Sequence, residues 1–289
     1  KDKKVGHYTV SNIIYKNLSY ISQIKIRKNN LTIKNELERI KSLTIEDVDL
    51  KKQIVSLTNM PDSIKSVALE KVEEMKSSNN EYYKQQLFVK TLCKFPWISS
   101  DEDQIYESLK KSNEKSQLFL DNIEKKLESV VFGHTSAKNE LKELIGRWIT
   151  NPSSSGSAIA LVGPPGVGKT LFAKGISKAL DIPFAQIALG GQNDGELLYG
   201  HGYTYSGSQP GMVVKKMIEA GSSRCVLYFD ELDKTVAKHG QTNEIMSILI
   251  HMTDPNMNSE FQDRFFQGIN FPLNKVLMCF SYNDAKLVD

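Results

Sequence analysis

The spacing of apolar positions changes character about halfway along the chain. From about residue 61 to 150 apolar residues recur at three- and four-residue intervals, the period of a helix with one buried face. Ile64, Ala68, Val72 and Met75 line one such face, with Pro61 suited to its first turn and Ser77-Ser78-Asn79-Asn80 closing it. A second helix is expected over about Glu81–Cys93, ended by Phe95-Pro96-Trp97 because a proline disfavours helix at the residue before it. Trp97 reads as a packing anchor between helices. Two more amphipathic helices are expected, roughly Asp103–Val130 and Ser136–Ile149, joined by a short turn at Val131-Phe132-Gly133-His134.

Beyond Asn151-Pro152-Ser153-Ser154-Ser155-Gly156-Ser157, a linker by composition, the pattern becomes short apolar runs alternating with helical stretches. The runs are Ala158–Val162, Phe184–Leu189, Val226–Phe229 and Val276–Phe280; the helices are Lys169–Leu180, Met212–Glu219 and Gln241–Met252. Such alternation predicts an α/β fold, a parallel sheet with helices on both faces and ligand at the carboxyl ends of the strands. Residues 1–60 show only soft periodicity around Ile33, Leu37, Ile40 and Ile54, and read as a helical, extended segment. The expected division is a poorly defined helical segment (1–60), a helical stretch (61–130) and an α/β portion (131–289).

One of those strand ends carries a recognisable loop. Gly163-Pro164-Pro165-Gly166-Val167-Gly168-Lys169-Thr170 has glycine, four residues, then Gly-Lys-Thr, between an apolar run and a helix. Glycines there let successive N–H groups turn inward on phosphate oxygens; the lysine reaches the outer phosphates and the threonine hydroxyl a Mg²⁺ ion. The helix beginning at Lys169 adds its positive dipole end. ATP and Mg²⁺ are the expected cofactors. The strand Val226–Phe229 delivers Asp230 and Glu231 to the same sheet edge. Asp230 is expected to hold Mg²⁺ through water opposite Thr170, and Glu231 to polarise the water attacking the γ-phosphate. Asn283, after the last strand, could bond that water or the γ-phosphate. In the glycine-rich run Gly200–Gly207, which holds no carboxylate–His pairing suited to catalysis, exposed Tyr203 and Tyr205 fit gripping of a partner chain, with packing against the protein's own surface as the alternative.

Composition adds limits. The chain is 40% hydrophobic and 25% charged, as in water-soluble proteins, with a net charge of +3 that makes no case for nucleic acid. The charge is uneven: residues 1–60 hold twelve Lys or Arg against six Asp or Glu, +6, and the remainder is −3. A solvated helical face is the plain reading of that segment; a weak nucleic-acid or acidic-partner role stays open beside it. Cys93, Cys225 and Cys279 are far apart without metal-ligand spacing, and read as buried thiols in a reducing, intracellular and cytoplasmic setting, or in the mitochondrial matrix of a eukaryote. No run of eighteen apolar residues suggests a membrane span.

These residues resemble the Lon family of ATP-dependent proteases within the AAA+ class. The phosphate loop with Asp230-Glu231-Leu232-Asp233-Lys234 is similar to AAA+ proteins at large. Closer to Lon are Ala188-Leu189-Gly190-Gly191, Gly200-His201 with Thr204-Tyr205 and Gly207, Pro210-Gly211, and Asp254-Pro255 with Asn258 and Phe261. Phe95-Pro96-Trp97 and Phe132-Gly133 resemble the Lon neck and its loop near the adenine. The resemblance, firm over about 61–283, implies a homohexameric ring that hydrolyses ATP and draws unfolded protein through its pore. It implies nucleotide contacts at Gly163, Gly166, Gly168, Lys169 and Thr170, metal and water-activating roles for Asp230 and Glu231, a γ-phosphate sensor at Asn283 and a substrate-gripping aromatic at Tyr205. A remodeller or chaperone with the same motor and no peptidase is the alternative. A DNA-associated AAA+ protein is a third reading, disfavoured by the Gly190–Gly211 loops and by the lack of a basic patch in the ATPase portion.

The chain also departs from the family. Gly202 and Tyr203 stand where Lon has two arginines after Gly-His, and Ser206 where an aliphatic residue follows the tyrosine; the second pore loop, about Val236–Gly240, has no aromatic. Both ends look cut. The fifth core strand, the arginine finger, the helical lid and the Ser-Lys protease domain are expected beyond Asp289, which leaves the sheet truncated after its fourth core strand with Ala158–Val162 as an open edge. An arginine finger is worth about 10³–10⁵ in turnover. The chain alone is thus expected to bind ATP, hydrolyse it very slowly and cleave no protein.

Overall fold

The computed structural model describes residues 4–5, 8–9, 14–43, 50–77, 81–98, 101–152, 157–192, 194–205, 207–235 and 244–284. The chain divides into two compact units, Lys1–Lys52 and Gln53–Asp289. The first is mainly helical, as its soft periodicity suggested. A minimal antiparallel pair, β1 (Lys4–Val5) and β2 (Tyr8–Thr9), precedes the long helix α1 (Tyr20–Leu43). Arg27 Nε donates to the Tyr15 hydroxyl at 2.8 Å, tying that helix to the turn before it. The division between units falls inside α2 (Leu50–Ser56).

The larger unit opens with the helical hairpin α3 (Asp62–Ser77) and α4 (Tyr82–Lys94). Ala68, Val72 and Met75 are buried as their spacing requires, against a face of α4 holding Phe88, Val89 and Leu92. Pro61 stands just before the first turn, its carbonyl accepting from the Ile64 and Lys65 N–H groups. Trp97 stacks on Phe271 at 5.7 Å and donates from Nε1 to the Leu92 carbonyl. Its role as an anchor holds, although its partner is a strand residue. The single helix expected over Asp103–Val130 is two, α5 (Asp101–Lys110) and α6 (Asn113–Val130). Ser112 breaks it: its hydroxyl accepts from the Lys115 N–H and caps the second helix. Helix α7 (Thr135–Thr150) follows the turn at 131–134.

Four parallel strands form the sheet: β3 (Ser157–Val162), β4 (Phe184–Ala188), β5 (Val226–Asp230) and β8 (Leu277–Tyr282), in the order β3-β8-β5-β4. Between them lie α8 (Lys169–Leu180), the short α9 (Glu196–Tyr199), α10 (Met212–Ala220), α11 (Glu244–Thr253) and the small pair β6 (Phe261–Gln262) and β7 (Asn270–Phe271). Burial explains the strand sequences. The interior strand β5 is buried on both faces and is apolar throughout up to Asp230. Edge strand β3 alternates, Ile159 and Leu161 turned to the core while Val162 stays 53% exposed. One face of the sheet (Val226, Tyr228, Leu277, Cys279) packs on Ile123, Leu127, Leu141, Ile145, Trp148, Phe172 and Ile176 from α6 to α8. On the other face Phe229 stacks on Phe280 at 5.0 Å, and α10 packs on β4. The three cysteines are buried thiols; burial alone pushes Cys93 up to about 11 and Cys279 to about 12. Among the described residues no helix is long and apolar enough to cross a membrane.

Candidate functional site

The carboxyl ends of β5 and β8 and the loop after β3 enclose a cavity of about 320 Å³. It is lined by Pro165, Gly166, Gly168, Lys169 and Thr170 on one side and by Asp230, Glu231 and Asn283 on the other. The parallel order of the strands brings these together, since it sets the ends of β3, β8 and β5 side by side. The loop after β3 takes the required shape because Gly168 adopts φ 89°, a conformation a side chain disfavours, immediately ahead of α8.

Lys169 is fully engaged. Its three ammonium protons meet three oxygens: the Gly163 carbonyl, the Pro164 carbonyl at 3.2 Å and Asn283 Oδ1 at 3.0 Å. Thr170 and Asp230 are joined through a third residue, Tyr228, whose hydroxyl lies 3.0 Å from Thr170 Oγ1 and donates to Asp230 Oδ1 at 3.2 Å. Asp230 also accepts from Ser281 Oγ at 2.6 Å and Gln186 Nε2 at 3.1 Å. Burial pushes the Tyr228 phenol above its ordinary value, so it keeps its proton and can donate. Thr170 and Asp230 thus offer hard oxygen donors to one cavity, the donor type Mg²⁺ selects. Two protein oxygens suit an ion that completes its shell with water and phosphate. Among the described residues no three His, Cys, Asp or Glu side chains are grouped to hold a metal unaided.

Glu231 is placed by its backbone, at φ 60°, which turns its side chain away from the line of β5. Its carboxylate pairs with Lys234 across a single turn and lies against Gly190. A methyl group at Gly190 would collide with Glu231 Oε2, which gives this glycine a physical function at the site. No periodicity argument reveals that, nor the bonds of Tyr228, Gln186 and Ser281 to Asp230. The one available hint is that Tyr228 and Asp230 sit two apart on one strand and so share a face.

Phe132 and Gly133 are outside the cavity lining. Their turn packs on α8 through His134, whose ring is 6.3 Å from that of Phe172, while Phe132 itself is 96% exposed. Tyr205 is 67% exposed at the tip of its loop. Tyr203 is not exposed for gripping a partner. It packs on Phe88 and Phe265, with Lys84 Nζ 4.2 Å from its ring centre, because α4 offers an aromatic and a cationic surface beside the loop. The loop's base also holds a carboxylate–His pair, Glu196 Oε2 lying 3.2 Å from His201 Nε2. Asp263 anchors its far end, accepting from the Gly211 N–H at 2.6 Å and the Phe265 N–H at 2.8 Å. Burial raises that carboxyl to about 7. The segment 236–240 lies outside the described residues.

Comparison with known proteins gives this geometry a family. A model of the ATPase family associated with various cellular activities (AAA) matches residues 159–289. The whole chain aligns at 50% identity with a Lon protease homolog of Acanthamoeba polyphaga mimivirus, covering 28% of that protein. The chain is a Lon homologue with an AAA domain. Lon proteases of Paraburkholderia phytofirmans and Malacoplasma penetrans align at 28% over 91% of the chain and at 31% over 73% of it. The chain spans a quarter to a third of the length of these Lon relatives.

Proposed function

We propose that the chain is the ATP-binding and ATP-hydrolysing motor portion of a Lon-like ATP-dependent serine protease that unfolds and translocates protein substrates. One observation carries the reading: Lys169, Thr170, Asp230, Glu231 and Asn283 line a single cavity at the carboxyl ends of parallel strands, in a Lon homologue. The backbone N–H groups of residues 166–170 and the Lys169 ammonium hold the phosphates of ATP. Thr170 and Asp230 hold Mg²⁺, which when bound offsets phosphate charge. Glu231 takes a proton from the attacking water while Asn283 orients it. Phe132 and Gly133 flank the adenine. Tyr205, whose side chain is exposed, contacts the substrate chain in an intracellular homohexameric ring.

Calorimetric titration of ATP into the 289-residue chain, with and without Mg²⁺, tests the site. Binding is expected for the parent and an affinity about 100-fold weaker for Lys169→Ala. ATP affinity unchanged by Lys169→Ala would overturn the reading. Steady-state turnover by this chain alone is expected to be very slow, and unfolded casein to stay intact. A rate typical of assembled AAA+ rings would sink that part.

A further inference from the structure

The turn that follows Asp230 and Glu231 brings a further carboxylate, Asp233, against Asn283. Asp233 Oδ2 accepts from the Asn283 backbone N–H at 3.0 Å and from its side-chain Nδ2 at 3.1 Å. The other oxygen, Asp233 Oδ1, is buried and has no hydrogen-bond partner among the described residues. Among the described residues, the hydrogen bonding of this side chain is directed at Asn283. On the opposite side of the Asn283 amide stands Lys169, whose ammonium meets Oδ1 at 3.0 Å.

A carboxylate can only accept and an ammonium can only donate, whereas an amide accepts at its oxygen and donates from its nitrogen. An asparagine between two such neighbours has one satisfactory orientation: NH₂ toward Asp233, carbonyl oxygen toward Lys169. We propose that Asp233 is a positioning residue that fixes Asn283 with its carbonyl oxygen facing the site, an inference that rests on the ATPase reading above. It chooses between the two uses open to Asn283. One of the two N–H donors of that NH₂ group is committed to Asp233, which keeps the nitrogen turned toward Asp233 and the oxygen toward Lys169. The oxygen that faces the cavity accepts from Lys169. It becomes free when phosphate oxygens draw the ammonium away, and it then accepts an O–H of the attacking water beside Glu231. Lys169 and Asn283 thus hold each other at rest, and occupation of the site releases both.

Single-turnover hydrolysis, with chain in excess over ATP and Mg²⁺, tests this alongside ATP affinity. Asp233→Ala and Asn283→Ala should each slow hydrolysis about 100-fold, the cost of a misplaced contact at a reacting centre, with Kd within about threefold of the parent. The double variant should be no slower than Asn283→Ala, because one residue acts through the other. Asp233→Asn keeps an acceptor facing Asn283 and should stay within about fivefold. If Asp233→Asn is as slow as Asp233→Ala, charge rather than orientation matters and the proposal fails; multiplicative loss in the double variant also overturns it. A second readout does not need turnover or a variant that folds. In the parent, the Asn283 side-chain NH₂ resonance should stay protected from solvent exchange both without nucleotide and with Mg²⁺ and a non-hydrolysable ATP analogue. Loss of that protection when the analogue binds would refute the orientation. Failure of the parent to bind ATP would instead remove the ATPase reading, with the bond to Asp233 still visible in the empty chain.

Discussion

Both ends of β5 and β8 carry a carboxylate among cations, and the two ends behave differently. Just before the strands, Arg224 Nη2 and Lys275 Nζ meet the two oxygens of Asp103 at 2.9 and 2.8 Å. Their side chains are only 8% and 6% exposed, and the Arg224 guanidinium lies over the Tyr106 and Trp148 rings at 4.6 and 5.3 Å. Lys275 donates as well to the Pro152 carbonyl. Beyond the strands, Lys169, Lys234, Asp230 and Glu231 surround an open cavity, with Lys169 resting on neutral oxygens. Charges deep in a low dielectric need permanent partners. Charges beside a water-filled cavity can exchange one partner for another. The first end holds α5 to the sheet; the second has the features of a site.

The sharpest test asks whether burial without a cationic bond suffices to make a charge costly. Asp263 is buried with two backbone N–H partners, and its carboxyl is raised to about 7. Between the ordinary carboxylate value near 4 and that value, the folded chain holds a proton that the unfolded chain has released. Stability should therefore fall as pH rises from about 4 to about 7 and then level off, by up to about 4 kcal/mol at 1.36 kcal/mol per unit. Urea melts across that range should show the fall in the parent and a flatter profile in Asp263→Asn.

Next in size, Asp103→Ala strands two buried cations and should cost about 3 kcal/mol in the same melts, the low end for a broken buried pair because Asp103 is partly exposed. Lys169→Ala should do the reverse: little change in melting, and ATP affinity weakened about 100-fold, or about 2.7 kcal/mol. An equal loss of stability in both variants would erase the contrast between the two ends. The smallest effect is expected from Gly190→Ala, which displaces the Glu231 carboxylate. ATP binding should persist while single-turnover hydrolysis drops about tenfold, smaller than the ~100-fold cost of misplacing a group outright because the side chain can swing aside.

Local chemistry made the site's principal residues legible. The phosphate-loop spacing and the Asp230-Glu231 pair after an apolar run needed only the chain itself. The four parallel strands followed from the alternation of apolar runs with helical stretches. The break at Ser112 escaped because the helical period continues on either side of it. Tyr203 read as exposed because a glycine-rich surround suggests mobility, and nothing local announces that Phe88 and Lys84, more than a hundred residues earlier, come to meet it.

Sequence alone determined which residues carry the chemistry expected of a phosphate and metal site and which runs are able to form strands, because backbone freedom, side-chain polarity and short-range periodicity are local properties. Only the tertiary structure decided how those groups face one another. Asn283 owes the direction of its amide to Asp233 on one side and Lys169 on the other, Glu231 owes its space to Gly190, and Asp230 owes three of its hydrogen bonds to Tyr228, Ser281 and Gln186. Hydrogen-bond direction and steric clearance depend on atoms far apart along the chain, which parallel strand order brings within bonding distance.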